Sequence, residues 1–415
     1  MNYGRLYRSK LFIPTHTISK MEDGRFVNKQ QEISWFRRTY FAFYFAFAAL
    51  SVYMIPFLKE IGYDAMQRGI QFSCMALLAI VMQMVVGYIC DKFHVMKKTT
   101  MLLAVLQIAS VYACYLFTKQ VFWYHLALIS IMGGIYKINY NLLDSWSLLC
   151  GDKIANQFGS MRAYGALGFT LGTYITSKLI DLYSFAAIGH TVAATTIIAL
   201  WCCAKLPVSK KEKGYTTICK EDFAKLLKNK AYVLLILIFL GINIVGTADQ
   251  FTTVDKMIQL EATKAQVGYK WAIQSASEIP VFLLSWYLLQ KFHGYHLMII
   301  GMIMYCIKFW LYGLVSSIGG ILLVTALQTI SYPLITLSSR ILFAQIAKEQ
   351  AHLKTSAQLI ASSIYLGVSA LVAPILCGFL VSTIGHDWTL YGLAIFLGLV
   401  TMFALFCKRT IAIKD

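Results

Sequence analysis

Acidic residues are scarce in this chain of 415 residues: 19 Asp and Glu stand against 37 Lys and Arg, and charged residues make up only 13%. Soluble globular domains carry about 25% charged residues, so composition excludes that class. Proline is rare as well, six in all. No two of the ten cysteines lie at C-x-x-C spacing, and most fall in apolar stretches. They read as small buried hydrophobes, neither a disulfide framework nor a metal site, and no cofactor is expected. The alternating pattern of a membrane barrel is absent. The first apolar stretch lacks a small-residue cleavage signature and reads as a retained helix.

What is abundant is apolar sequence. The chain is 58% hydrophobic with mean hydropathy +0.63. Stretches of about 20 apolar residues, enough to cross a bilayer, recur along it. Twelve spans are expected, at 37–58, 70–90, 99–118, 121–149, 160–181, 184–205, 231–252, 266–289, 295–315, 318–346, 356–381 and 386–407. No water in the hydrocarbon satisfies backbone groups, so each must be helical. The fold class is an all-α membrane protein of twelve transmembrane helices in two six-helix halves. A basic linker at 207–230 separates the halves at 37–206 and 231–407, with tails at 1–36 and 408–415. A short match supports repeated halves: Asp91-Lys92-Phe93-His94 closes the second span and Gln290-Lys291-Phe292-His293 the eighth. Prolines 56, 280, 333 and 374 fall inside spans and can kink them, and glycines 165, 168 and 172 allow close helix approach.

The net charge of +18 would suggest nucleic acid in a soluble protein, but its distribution follows topology. Six basic residues precede the first span, and 210–230 holds seven lysines against three acids. By the positive-inside rule both termini are cytoplasmic, in a multi-pass protein of the cell (inner or plasma) membrane. The basic residues answer to the lipid bilayer and its anionic headgroups; no nucleic-acid partner is expected.

Charges inside the spans carry the functional signal. Asp144 and Arg162 flank the short polar segment Cys150–Gln157, each nine residues from a turn centred near position 153. At ~1.5 Å of rise per residue, both lie ~13 Å below the membrane face, where an unpaired charge costs about 2.5–3.5 kcal/mol or more. At matching depth they can pair. The pair marks a substrate path or else only pins two helices. Lys137 lies two helical turns before Asp144 on the same face and would contact substrate or balance excess acid. In the second half, Asp249, Glu278 and Lys308 are three intramembrane charges, net −1 when all are ionised.

The segment Phe158-Gly159-Ser160-Met161-Arg162-Ala163-Tyr164-Gly165-Ala166-Leu167-Gly168-Phe169, with Asp144 eighteen residues before the arginine, resembles the major facilitator superfamily, in particular its oligosaccharide:proton symporter branch (lactose permease-like). The resemblance implies that Asp144 and Arg162 bind sugar hydroxyls and that Phe169 takes the aromatic position that packs on the sugar ring, or else packs as an ordinary helix residue. The loop from Gly87 through Asp91, Lys92, Phe93 and His94 to Lys97 and Lys98 is similar to the superfamily's signature between helices two and three, with His94 in place of the usual glycine and Met96 in place of a basic residue. The resemblance implies a gating role for Gly87, Asp91 and Lys92. Gln328 and Ser331 stand where the branch has its titrating histidine and glutamate. Neither titrates near neutral pH, so proton coupling falls to Glu278 or Asp249, with Lys308 as an exchanging partner. Sodium coupling or facilitated transport stays open. The expected function is import of a small oligosaccharide or similar polyhydroxylated solute by a functional monomer, with a proton as coupling ion. A nucleoside carrier of a related branch is the nearest rival. A drug exporter, whose pocket is mostly apolar, and a membrane sensor, which needs a signalling domain, are weaker. No nucleophile–base set indicates an enzyme.

Overall fold

A computed structural model of the chain describes residues 21–22, 25–26, 29–93, 95–155, 157–208, 228–346 and 354–411. Most of the tails and linker expected at 1–36, 207–230 and 408–415 therefore lies outside the described residues, as does His94. Apart from a two-residue antiparallel pair, Met21–Glu22 with Arg25–Phe26, the described elements are helical.

Each of the twelve expected stretches is occupied by helix. The first is Lys29–Ser51 followed by Met54–Ile61, and the second to sixth are Ala65–Phe93, Met96–Leu116, Phe122–Leu149, Phe158–Tyr183 and Ala186–Ala204. The seventh, Lys230–Ala248, passes through a π-helical turn, Asp249–Thr253, into Val254–Gln259. The eighth is Lys264–Leu283 with Ser285–Lys291, and the ninth Gly294–Leu314. The tenth breaks into Ile318–Thr325, a 3-10 turn Ala326–Thr329 and Tyr332–Ile346; the eleventh and twelfth are Lys354–Ile384 and His386–Ile411. Nine windows among the described residues are long and apolar enough to cross a membrane, and the last of them, Ile360–Ile411, holds two helices. The helices Phe158–Tyr183 and Lys264–Leu283 fall outside that set; they carry Arg162, Lys178 and Asp181, and Lys264, Lys270 and Glu278. Three of these charges, Arg162, Lys270 and Glu278, belong to the networks described below.

The first helix begins at Lys29, ahead of the expected position 37, because Ile33 and Phe36 already pack inward on the stripe that continues at Tyr40. Its neighbour is the fifth helix, held close by the expected glycines. A Cβ on Gly168 would collide with the carbonyl oxygen of Phe41, and one on Gly172 would sit 2.7 Å from that of Phe45. Small residues here bring two backbones together where lipid gives no hydrophobic drive to do so.

The same cation–ring arrangement appears in both halves. Lys92 lies over the rings of Tyr88 and Phe93, and Lys291 over those of Tyr287 and Phe292. The repeat seen as three residues thus extends to a tyrosine four positions before each lysine.

The halves close against each other at the end of the molecule that holds the loops after the first, seventh and eleventh helices. There Arg68 of the second helix meets Asp255 of the seventh at 2.5 Å, both nearly fully buried. Lys264 pairs with Glu60 at 3.0 Å, and the Tyr174 and Tyr269 rings stack at 6.0 Å. The second and eleventh helices touch backbone to backbone: a Cβ on Gly69 would strike the Pro374 carbonyl, and one on Gly378 would lie 2.6 Å from that of Ala65. Towards the opposite end, Val81, Gln83, Met84, Val85, Tyr88 and Ile89 of the second helix are all exposed. They cover more of its circumference than a lipid-facing stripe needs. Ile279, Leu284 and Tyr287 of the eighth helix are exposed in the same way. The molecule is closed at one end and splayed at the other.

Candidate functional site

Asp144 and Arg162 are brought together as their matched depth requires. The Gly151 turn, with φ +105°, and the short helix Asp152–Ala155 fold the fourth helix back into the fifth. An Arg162 guanidinium nitrogen lies 3.3 Å from Asp144 Oδ2 and also contacts the Tyr44 hydroxyl. The hydroxyl of Tyr40 donates to Asp144 Oδ1 at 2.8 Å and lies 3.1 Å from Ser147 Oγ. The arginine carbon sits over the rings of Tyr140 at 4.8 Å and Tyr44 at 5.4 Å. The arginine side chain keeps 36% of its surface exposed and the aspartate 24%, so this ion pair is reachable by solute.

Aromatic side chains line the rest of this wall. Phe169 packs on Phe47 at 5.5 Å, and Phe47 stacks on Tyr136 at 4.8 Å. Phe169 also borders the buried clusters on both sides of it, so its ring has a packing role whatever else it touches. Behind Tyr44 and Phe47 lies a small cavity of about 30 Å³, room for one water, where Gln107 and Asn139 contribute polar atoms. Across the gap, Tyr332 of the tenth helix lies near both Arg162 and Tyr140, so the two halves face each other at this depth.

The second half presents a longer network. The π-helical turn places Asp249 in the core, accepting from Thr253 Oγ1 at 2.8 Å. Its other oxygen accepts from Lys308 at 2.9 Å, and Lys270 approaches at 3.3 Å. Lys308 also donates to Gln328 Oε1 at 2.7 Å, and Gln328 Nε2 donates to Glu278 Oε1 at 2.9 Å. Lys308 therefore reaches Glu278 through Gln328 in this state. A fourth charge joins this network. Lys270 lies in the eighth helix and joins the three charges counted from sequence, so these four groups sum to zero when all are ionised. It lies beside Trp271, whose ring it overlies at 4.3 Å.

Lys137 consequently has no excess acid to balance. No carboxylate, hydrogen-bond acceptor or aromatic face among the described residues partners its ammonium. Trp271 Nε1 and Gln274 Oε1, one turn apart and one turn before Glu278, are buried polar atoms without partners. The sequence singled out neither, since a lone Trp or Gln in a span has no distinctive spacing. For the gating residues, the structure describes little contact. Lys92 is exposed, and a Cβ on Gly87 would meet nothing within 4 Å. The side chain of Asp91 lies outside the described residues. These three sit at the splayed end, where the halves are apart.

Comparison with known proteins agrees with this architecture. The model of the MFS_1 like family matches residues 33–393. The crystal structure of the nucleoside transporter NupG superposes with TM-score 0.77 at 16% identity, covering 92% of this chain and 99% of that one. A mutant of NupG gives 0.78, at 16% identity over 91% and 99%. A POT family transporter, solved in complex with a thioalcohol conjugated peptide, gives 0.72 at 12% identity over 92% and 97%. At such identities the likeness shows the fold alone. No curated protein matches the chain by sequence.

Proposed function

The chain belongs to the MFS_1 like family of major facilitator transporters, and on that premise we propose that it imports a small oligosaccharide or similar polyhydroxylated solute by alternating access, with proton symport. One observation carries the substrate class. The ion pair Asp144–Arg162 stays partly exposed, its guanidinium over the rings of Tyr44 and Tyr140. An ionised carboxylate and guanidinium give strong directional hydrogen bonds to hydroxyls, and ring faces take the C–H side of a sugar. With both termini cytoplasmic, the sealed end faces outward and the splayed end inward, so the chain stands in an inward-open state. A monomer suffices, because one chain supplies both walls.

A nucleoside is the second reading. A base could lie flat on Tyr140 or Tyr136 while ribose meets the charged pair, and the fold likeness to NupG keeps this class in view. Counterflow in vesicles separates these. Polyhydroxylated solutes should exchange, their deoxygenated analogues of equal size should not, and Asp144→Asn should abolish exchange without loss of protein from the membrane. Equal exchange of the deoxygenated analogues would sink the hydroxyl-recognition reading. Exchange of nucleosides alone would select the second.

A further inference from the structure

At mid-depth the described residues of the two walls hold three carboxylates, Asp144, Asp249 and Glu278, against four cations, Lys137, Arg162, Lys270 and Lys308. Each of these but Lys137 has a partner in the protein. Arg162 meets Asp144; Lys270 and Lys308 flank Asp249; Glu278 is held by Gln328. Lys137 stands two turns along the same helical face as Asp144, only partly exposed, without a counter-ion among the described residues. Its ammonium is well inside the span, too far from either membrane face to snorkel. An intramembrane charge of this kind is costly and is ordinarily paired.

We propose that the transported solute carries an anionic group, a carboxylate or phosphate, whose counter-ion is Lys137. This rests on the hydroxyl-recognition reading of the Asp144–Arg162 wall and narrows it to acidic polyhydroxylated solutes. Lys137 is about 10 Å along the helix from Asp144, a separation that suits an acid group at one end of a solute whose hydroxyls meet the ion pair. An uncharged solute would leave Lys137 as uncompensated as it is in the empty site. The resident acids do not serve: Asp144 and Asp249 already have cationic partners, and Glu278 is committed to Gln328.

The test uses the purified full chain in detergent and the shift in melting temperature with added solute. The probes are glucose, glucuronate, glucose 6-phosphate, sorbitol, gluconate and propionate. At least one acid should bind about tenfold or more tightly than its neutral counterpart, as a charge-assisted contact requires. Lys137→Arg should keep that preference and Lys137→Gln should lose it. Lys137→Gln should also leave the melting temperature of the empty protein unchanged or raised, since an unpaired buried charge is removed. No preference for acids across the panel, silence of every probe included, overturns the proposal. So does a preference that survives Lys137→Gln, or an empty Lys137→Gln protein that melts lower. Propionate binding as well as glucuronate would keep the anion site and sink hydroxyl recognition instead; glucose matching glucuronate would do the reverse.

Discussion

Removing the negative charge of Asp255 should tip the molecule out of the state described. Arg68 and Asp255 join the two halves at 2.5 Å, each nearly fully buried, and Arg68 also donates to the Tyr63 carbonyl at 2.7 Å. When the halves part at this end, both charges return to water, so the pair acts on one state only. Breaking a buried pair by deleting one partner costs about 3–5 kcal/mol, because the other charge is left buried and uncompensated. In Asp255→Asn that penalty falls on the closed end alone. It should shift the equilibrium towards the opposite opening by roughly two to three and a half powers of ten. The neighbouring pair Lys264–Glu60 spans the same joint, but Glu60 is 57% exposed, so Glu60→Gln should change the balance by about 1 kcal/mol or less. Alkylation of Gln71→Cys by a membrane-impermeant maleimide reads the outcome. Position 71 is fully buried one turn inside Arg68, and its labelling should accelerate strongly in Asp255→Asn and hardly at all in Glu60→Gln. Adding Arg68→Met to Asp255→Asn should slow labelling again, because the uncompensated charge is gone. Equal labelling of the parent and Asp255→Asn, or a double variant as open as the single one, would refute the reasoning.

Glu278→Gln, a mimic of the protonated acid, should retain counterflow but lose accumulation driven by a pH gradient; normal uphill uptake would move the proposed proton to Asp249. Phe169→Ala should weaken solute affinity by about 1 kcal/mol if its ring meets the sugar, whereas an unchanged affinity with lowered thermal stability would assign the ring to its packing on Phe47. Gly168→Val should cost about 1–3 kcal/mol or more of stability, read as a lowered melting temperature, since its Cβ would collide with the Phe41 carbonyl on an adjoining helix.

The first half was more legible than the second, and the reason is geometric. Asp144 and Arg162 lie in consecutive helices joined by a short turn, so sequence distance alone fixes their depth and makes them meet. Lys270, Asp249, Lys308, Gln328 and Glu278 come from four helices, and no sequence spacing states which will touch. The π-helical turn at Asp249–Thr253 and the 3-10 turn at Ala326–Thr329 rotate Asp249 and Gln328 away from where a regular helix would aim them. A polar residue such as Gln328 could be read as the loss of a titrating histidine, but not as a bridge between Lys308 and Glu278. The apolar runs gave the helices. The outer joint was different: Arg68 and Asp255 are 187 residues apart and each reads as an ordinary helix-end charge.

That bridge bears on how coupling would survive without the titrating pair. A glutamine amide is donor and acceptor at once, and here it uses both ends: Oε1 towards Lys308, Nε2 towards Glu278. When Glu278 is ionised, the amide dipole is aligned between an ammonium and a carboxylate, and each contact strengthens the other. Protonation of Glu278 weakens the far contact and leaves Lys308 to lean more on Asp249, which already carries Lys270 and Thr253. The state of one carboxyl in the eighth helix is therefore felt at the kinked seventh and tenth helices, the elements that would bend as the halves rock. Gln328 would pass a change of charge at Glu278 on to Lys308 without itself holding a proton, as the proposed symport through Glu278 requires.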